Sequence, residues 1–339
     1  YTRAANWLLA QAFSDGQFQY NNGATGSGSN IAEFLLGRVS SLRQQNPNPL
    51  NTRQNFFSLY VQDTWKVTSR LTLNYGLNWA PFFPGSFPQG DTYNFSLGNF
   101  YSGIHSKVIP NAPAGFTYPG DSGFAGKSGI ESQLKYFDPR VGVAFDLTGK
   151  GKTVLRAGAG IGHDYMTANM MINNETAAPF RLISIQTGVN LDNPYANYSN
   201  GAVSGKTPYP FNFDPKAPLF PDFGTYLPVP PNMKTTAQYS WNLGIQHQMT
   251  SKWFLSASYL GTHITHLWNA VELNPGTLVP GVTPSAANLN ARRVLNIAGA
   301  KLGNVTQYDD GGTQGYNGLL FSTNWRLRDN LTVNANYTW

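Results

Sequence analysis

The stretch Leu71-Thr72-Leu73-Asn74-Tyr75-Gly76-Leu77-Asn78-Trp79 decides how this chain is read. Its odd positions are apolar and its even positions small and polar, the period of two that a strand with one apolar face requires. The run before it has the same plan, with Phe57, Leu59, Val61, Trp65 and Val67 alternating with Ser58, Tyr60, Gln62, Thr64 and Lys66. Thr68-Ser69-Arg70 joins the two, so the pair predicts an antiparallel hairpin over about 56–82.

Three further hairpins are predicted on the same grounds, over about 138–162, 238–264 and 316–339. In the first, Val141, Val143, Phe145 and Leu147 lead through Gly149-Lys150-Gly151-Lys152 into Leu155, Ala157, Ala159 and Ile161. In the second, Tyr239, Trp241, Leu243, Ile245 and Met249 lead through Thr250-Ser251-Lys252 into Trp253, Leu255, Ala257 and Tyr259. In the third, Leu319, Phe321, Trp325 and Leu327 lead through Arg328-Asp329-Asn330 into Leu331, Val333, Ala335, Tyr337 and Trp339. Strands of about 9–11 residues are long enough to cross a bilayer when tilted.

Between the hairpins lie long segments rich in Pro, Gly, Asn and Tyr, at about 83–137, 164–237 and 265–315. Tight turns at one end of the strands and long loops at the other are the asymmetry of outer-membrane barrels, whose long loops are extracellular. Irregular connections of this length are uncommon in a compact soluble domain. Upstream of Asn55 the pattern weakens: Phe13–Tyr20 and Arg38–Gln45 read as strands, and Ile31–Leu36 as a short helix or a loop.

Composition bears on which face meets what. Of 339 residues only 12% are charged, about half the usual share of roughly 25% for soluble domains. The polar faces of the strands carry Asn, Ser, Thr, Gln and Gly, where a soluble sheet would carry Lys and Glu. Such faces suit a lumen and leave the apolar faces for lipid. Trp65, Trp253 and Trp325 fall near the tight turns, while Trp79, Trp241, Tyr259 and Trp339 fall near the opposite strand ends. These seven are the candidate membrane-interface residues, two girdles of amphipathic rings. The alternative is a soluble β-sandwich with the same tryptophans between its sheets.

Several chemistries find no support. The chain has no cysteine, which excludes disulfides, thiol catalysis and thiolate metal sites. Apolar runs such as Val154–Ile161 are far short of the roughly 18 residues of a membrane helix. The net charge of +6 is dispersed, so no nucleic-acid partner is expected. Gly149-Lys150-Gly151-Lys152-Thr153 lacks the first glycine of a phosphate loop, Asp146 standing there, and opens a strand where that motif opens a helix. His263 and His266, three apart, fall on opposite faces of an extended strand. No catalytic, cofactor-binding or metal-binding residue is assigned and no cofactor is expected.

The segment Phe57–Thr68, continuing through Arg70–Leu77, resembles a hallmark hairpin of TonB-dependent receptors, closest to their Oar-like branch. Similar to that branch are Ala32–Gly37, Tyr239–Gln248, Tyr259-Leu260-Gly261 with His266-Leu267-Trp268, and Tyr316–Leu319 running to Ala335–Trp339. The resemblance covers most of 30–339. It implies an all-β, up-and-down antiparallel transmembrane barrel in the outer membrane of a Gram-negative bacterium. Barrels of that class have 22 strands, an N-terminal plug and a TonB-binding motif, and the Oar-like branch adds a β-sandwich in front. None of those extra parts is legible here, so the chain is expected to be an open partial barrel of about 8–11 strands. The implied function is energy-coupled uptake of a bulky extracellular ligand (siderophore, glycan or peptide), without catalysis, with outer-membrane lipid and the TonB complex as partners. A passive porin, an adhesin or an outer-membrane barrel enzyme are the alternatives.

Overall fold

The computed structural model describes residues 1–11, 13–21, 27–167, 174, 177–199, 203–285 and 288–339. Parts of the long segment 164–237 thus lie outside the described residues. The first elements are β1 (Thr2–Ala10), β2 (Gln17–Gln19), α1 (Asn30–Leu35), β3 (Arg38–Gln45) and β4 (Asn48–Phe56). Next come β5 (Leu59–Lys66), β6 (Leu71–Trp79), β7 (Asn94–Phe95), α2 (Leu97–Tyr101), β8 (Phe116–Thr117), β9 (Phe137–Asp146) and β10 (Thr153–Asp164). They are followed by β11 (Ile183–Asn190), β12 (Gly224–Tyr226), β13 (Thr236–Thr250) and β14 (Trp253–Glu272). A short helix α3 (Val294–Ile297), β15 (Leu302–Arg328) and β16 (Leu331–Thr338) complete the order.

Eight long strands form one antiparallel meander, β5-β6-β9-β10-β13-β14-β15-β16, each paired with the next. The short β12 adds in parallel beside the upper part of β15. The sheet is not sealed into a cylinder: β5 and β16 each pair on one side only. Among the described residues no helix is long and apolar enough to cross a membrane. The structure is therefore an open wall of antiparallel strands.

The tight turns are built by side-chain caps on free backbone N–H groups. Thr68 Oγ1 accepts from Arg70 N and Leu71 N. In the β9–β10 turn the Asp146 carboxylate accepts from the backbone N–H of Thr148, Gly149 and Gly151. Gly149 there has a φ of 70°, and any Cβ would collide with the Arg70 guanidinium of the next turn. The positive φ selects glycine, the guanidinium being the movable end of a flexible side chain, and the lysine-containing loop is a hairpin turn.

Register fixes the two faces. Leu243 is level with Ala157 on one side and Tyr259 on the other, and Asn242 with Gly158 and Leu260. The apolar odd face is bare of protein: Leu243 is 50% exposed and Val141 51%. Burial lies elsewhere. Two clusters of buried side chains sit in the connections at the ends of the strands opposite the tight turns, and a third joins Val39 and Leu42 of β3 to Val189 of β11, Tyr195 and Tyr198. The largest unites Tyr93, Phe95, Phe116, Tyr118, Phe180, Tyr226, Leu295, Leu302 and Val305.

The third connection is shorter than the 265–315 expected. Pairing of β14 with β15 continues as far as Glu272 opposite Thr306, with register shifts near Leu267. In this extension Asn269, Glu272, Gln307 and Asp309 are interspersed with Ala270, Val271 and Tyr308, so polar and apolar residues mix on both faces and the alternation that marks a half-buried strand is lost. Glu272 pins it by accepting from Val305 N and Thr306 Oγ1. Upstream, β1 and β4 pair over nine residues each, a hairpin-like pair absent from the sequence reading, since Asn48–Phe56 alternates poorly and contains Pro49. The 31–36 segment is helical, as α1.

The bare odd face makes a graded expectation. In the full protein in its membrane, Leu243→Arg should cost about 2–4 kcal/mol if the site lies near the bilayer midplane, and Asn242→Arg much less. Unfolding titrations of the reconstituted protein, read by tryptophan fluorescence, would measure both; a larger loss for Asn242→Arg would reverse the faces.

Candidate functional site

The candidate interface residues take different surroundings. Trp253 and Trp325 are cross-strand partners, their rings stacked at 5.1 Å between centroids, and Trp253 Nε1 donates to Thr323 Oγ1 at 3.0 Å. Trp79 Nε1 donates to the Leu134 carbonyl at 2.7 Å, and its ring meets Phe57 edge-on and stacks on Phe137. The Trp241 indole covers Gly261, where a Cβ would collide with it, and Tyr259 donates its hydroxyl to Asn317 Oδ1 at 2.6 Å. Trp65 and Trp339 are exposed; Trp339 exchanges backbone hydrogen bonds with Leu319. Only Trp253 and Trp325 form a mutual pair, while the others are spaced across the wall.

The connections form a packed cap, which the sequence did not disclose beyond its richness in Tyr and Asn. Irregular backbone buries polar groups that need partners, and three buried asparagines supply them. Asn174 accepts from Thr92 Oγ1 and Tyr93 N, and donates to the carbonyls of Tyr93 and Leu227. It thereby ties the first and second connections together. Asn94 donates to the carbonyls of Gly129 and Val229. Asn274 donates to the carbonyls of Leu302 and Gly303 and accepts from Leu295 N, closing the third connection on the base of β15. The one trace of it in the sequence is asparagine embedded in aromatic and proline-rich stretches.

Charge in the cap is sparse and local. Asp91 meets Arg181 at 3.3 Å with both largely buried. Burial raises the Asp91 carboxyl above its ordinary range, against the lowering pull of the Arg181 guanidinium. Burial likewise raises the phenols of Tyr93, Tyr118 and Tyr226 and pushes Tyr195 up to about 12. His163 Nδ1 lies 2.6 Å from Asp138 Oδ1, and His266 Nδ1 3.5 Å from Asp310. His263 stands apart from His266, beside the Tyr239 ring. Among the described residues no group of three or more His, Asp or Glu is placed to hold a metal ion.

A family model described as an outer membrane beta barrel domain matches residues 1–339. The chain belongs to that family. The barrel is accordingly an outer-membrane protein of a Gram-negative bacterium. No curated protein matches it. Among solved structures it is similar to the siderophore receptor PirA of Pseudomonas aeruginosa, at 12% identity and a TM-score of 0.39, covering 89% of this chain and 39% of that one. It is also similar to the outer membrane transporter YddB of Escherichia coli, at 11% identity and a TM-score of 0.46, covering 99% and 29%. A third is the hemophore receptor HasR of Serratia marcescens, at 12% identity and a TM-score of 0.39, covering 99% and 40%. The barrel chain thus spans well under half of the length of each of these three.

Two outcomes follow for the cap. Asn274→Ala removes a partner from the Gly303 carbonyl, from Leu295 N and from the Leu302 carbonyl, which keeps Asn296 Nδ2, at roughly 1–3 kcal/mol for each group left unpaired, and limited proteolysis should then cut within 273–301. The raised phenols favour their neutral form in the folded cap. Their stabilisation is complete below the ordinary phenol pKa of about 10 and is lost as pH rises through the folded values. Near-ultraviolet circular dichroism should therefore report loosening of the cap in strong alkali, with the far-ultraviolet strand signal retained.

Proposed function

We propose that the barrel is the wall and ligand-capturing cap of a TonB-dependent receptor of the Oar-like branch, serving energy-coupled uptake of a bulky extracellular ligand. The observation that carries this reading is the location of burial. The connections opposite the tight turns bury whole aromatic rings, Phe116 and Tyr93 each 0% exposed, and tie separate connections through asparagine. A channel admitting small solutes needs no such ordered superstructure, whereas selection among large ligands needs a surface of fixed shape. The resemblance of the Phe57–Leu77 hairpin to that class is the second support.

In this reading the cap faces the cell exterior, and the even face of the strands lines the lumen. The apolar face meets lipid, with Trp65, Trp253 and Trp325 in the inner girdle and Trp79, Trp241, Tyr259 and Trp339 in the outer. Coupling to the TonB complex runs through parts of the protein that precede the barrel. The ligand belongs to the siderophore, glycan or peptide classes, and the chain breaks no bond in it.

Planar-bilayer conductance separates this from a passive pore. The complete protein, inserted into a lipid bilayer under voltage, is expected to give no sustained open-channel current. It should also retain the purified periplasmic domain of TonB on an affinity matrix. Steady ohmic steps without TonB retention would select a porin.

A further inference from the structure

The strand wall carries a cavity of about 700 Å³ lined by Arg140, Asp164, Gln238, Ser240 and Asn242 around Gly158, Gly160 and Gly162. Register places these side chains on the even face. Asp164, Gly162, Gly160 and Gly158 are level with Thr236, Gln238, Ser240 and Asn242 on β13, and Gly160 is level with Arg140 on β9. The three glycines add no side chains to its floor, over which Asn242 leans at Gly158 and Arg140 at Gly160, leaving Gly162 bare. At Gly162 a Cβ would meet nothing within 4 Å, so the chain itself gives no packing reason for a glycine there; close approach of another backbone is one such reason.

Its walls hold unspent chemistry. Among the described residues, Arg140 and Asp164 form ion pairs neither with each other nor with any other group. Their side chains, and the amides of Gln238 and Asn242, have no hydrogen-bond partner in the described structure, whereas Asp138 nearby is engaged by Asn78 and His163. Arg140 stands four residues below Asp164 along β10, about 13 Å of extended chain. One cation and one anion at that separation, with the Gln238 amide between them, complement an extended zwitterion bearing peptide groups, while Asn242, level with Gly158, lies beyond Arg140. Four residues of extended peptide span a similar length.

We propose that this cavity binds a short peptide of about four residues, its terminal carboxylate on Arg140 and its terminal ammonium on Asp164. Gln238 pairs with its backbone, and the bare floor at Gly162 lets that backbone lie against the wall. The inference rests on the even face being the water-facing wall, and it narrows the ligand of the proposed receptor to the peptide class.

The test uses the complete protein in nanodiscs and tetra-alanine as the probe, with calorimetry as the readout. Free tetra-alanine should bind, and acetylating its amino end or amidating its carboxyl end should each weaken binding roughly tenfold or more, as expected for loss of a charge-assisted contact. In Arg140→Gln the penalty of amidation should vanish while that of acetylation persists, and Asp164→Asn should show the converse. Equal binding of free and blocked peptides, or none up to millimolar concentration, overturns the proposal. Because the chain is free of cysteine, Gln238→Cys and Leu243→Cys provide a separate check with a water-soluble, membrane-impermeant maleimide on intact cells. Labelling at Gln238→Cys alone upholds the water-facing wall, so failed peptide binding would then sink this inference and leave the receptor reading standing. The reverse labelling would overturn both.

Discussion

In hydrocarbon no water is available to a backbone N–H or C=O, and each unpaired group there costs several kcal/mol. That constraint explains the order of this fold. The membrane-crossing strands β5, β6, β9, β10, β13, β14, β15 and β16 pair in antiparallel ladders, each with the next of them along the chain, because a meander is the shortest way to pair neighbouring strands along their length. Side chains then need only match their solvents: apolar toward lipid, small and polar toward the lumen. The low charge content and the Asn, Ser, Thr and Gly of the even face follow from the same requirement.

The usual relation between burial and secondary structure is accordingly inverted. A soluble sheet buries one face against a protein core, whereas here β5 is exposed throughout, and the side chains with least exposure lie in the connections. Outside the membrane the chain returns to aqueous rules, where apolar groups must cluster and buried polar groups must find partners. The aromatic clusters meet the first need and the buried Asn94, Asn174 and Asn274 the second, while among the described residues the hydroxyls of Tyr118 and Tyr226 stay buried without a hydrogen-bond partner. The boundary between the two regimes runs through β14 and β15, whose ladders persist above the membrane after the alternation has stopped.

How much of this was legible in the sequence follows from the same division. The strands of the meander were readable from Leu71–Trp79 and its three counterparts because one face meets lipid and the other water, which imprints a period of two. The extensions of β14 and β15 were not, since polar and apolar residues mix on both faces of Asn269–Glu272 and Thr306–Asp309, Tyr308 packing against the cluster of Phe82 and Met233, and no period is imposed. The β1–β4 pair was missed for a related reason: Pro49, Asn51, Arg53 and Asn55 form no apolar face. The cap was hidden because its contacts join residues far apart in sequence, such as Asn174 with Tyr93 and Leu227. The row of Arg140, Gly160 and Ser240 likewise required register, since each residue alone reads as an ordinary strand position.

Everything above requires the two faces of one wall to meet two different solvents. Spin labels placed singly at successive positions of β13, from Gln238 to Gln248, in the complete protein reconstituted in lipid would test it most directly. Power-saturation measurements with oxygen and with a water-soluble nickel chelate report access to hydrocarbon and to water. The expected result is an alternation with a period of two, odd positions favouring oxygen and even positions favouring the chelate. Positions shielded from both reagents on the odd face would instead mean a packed protein core and would contradict the barrel.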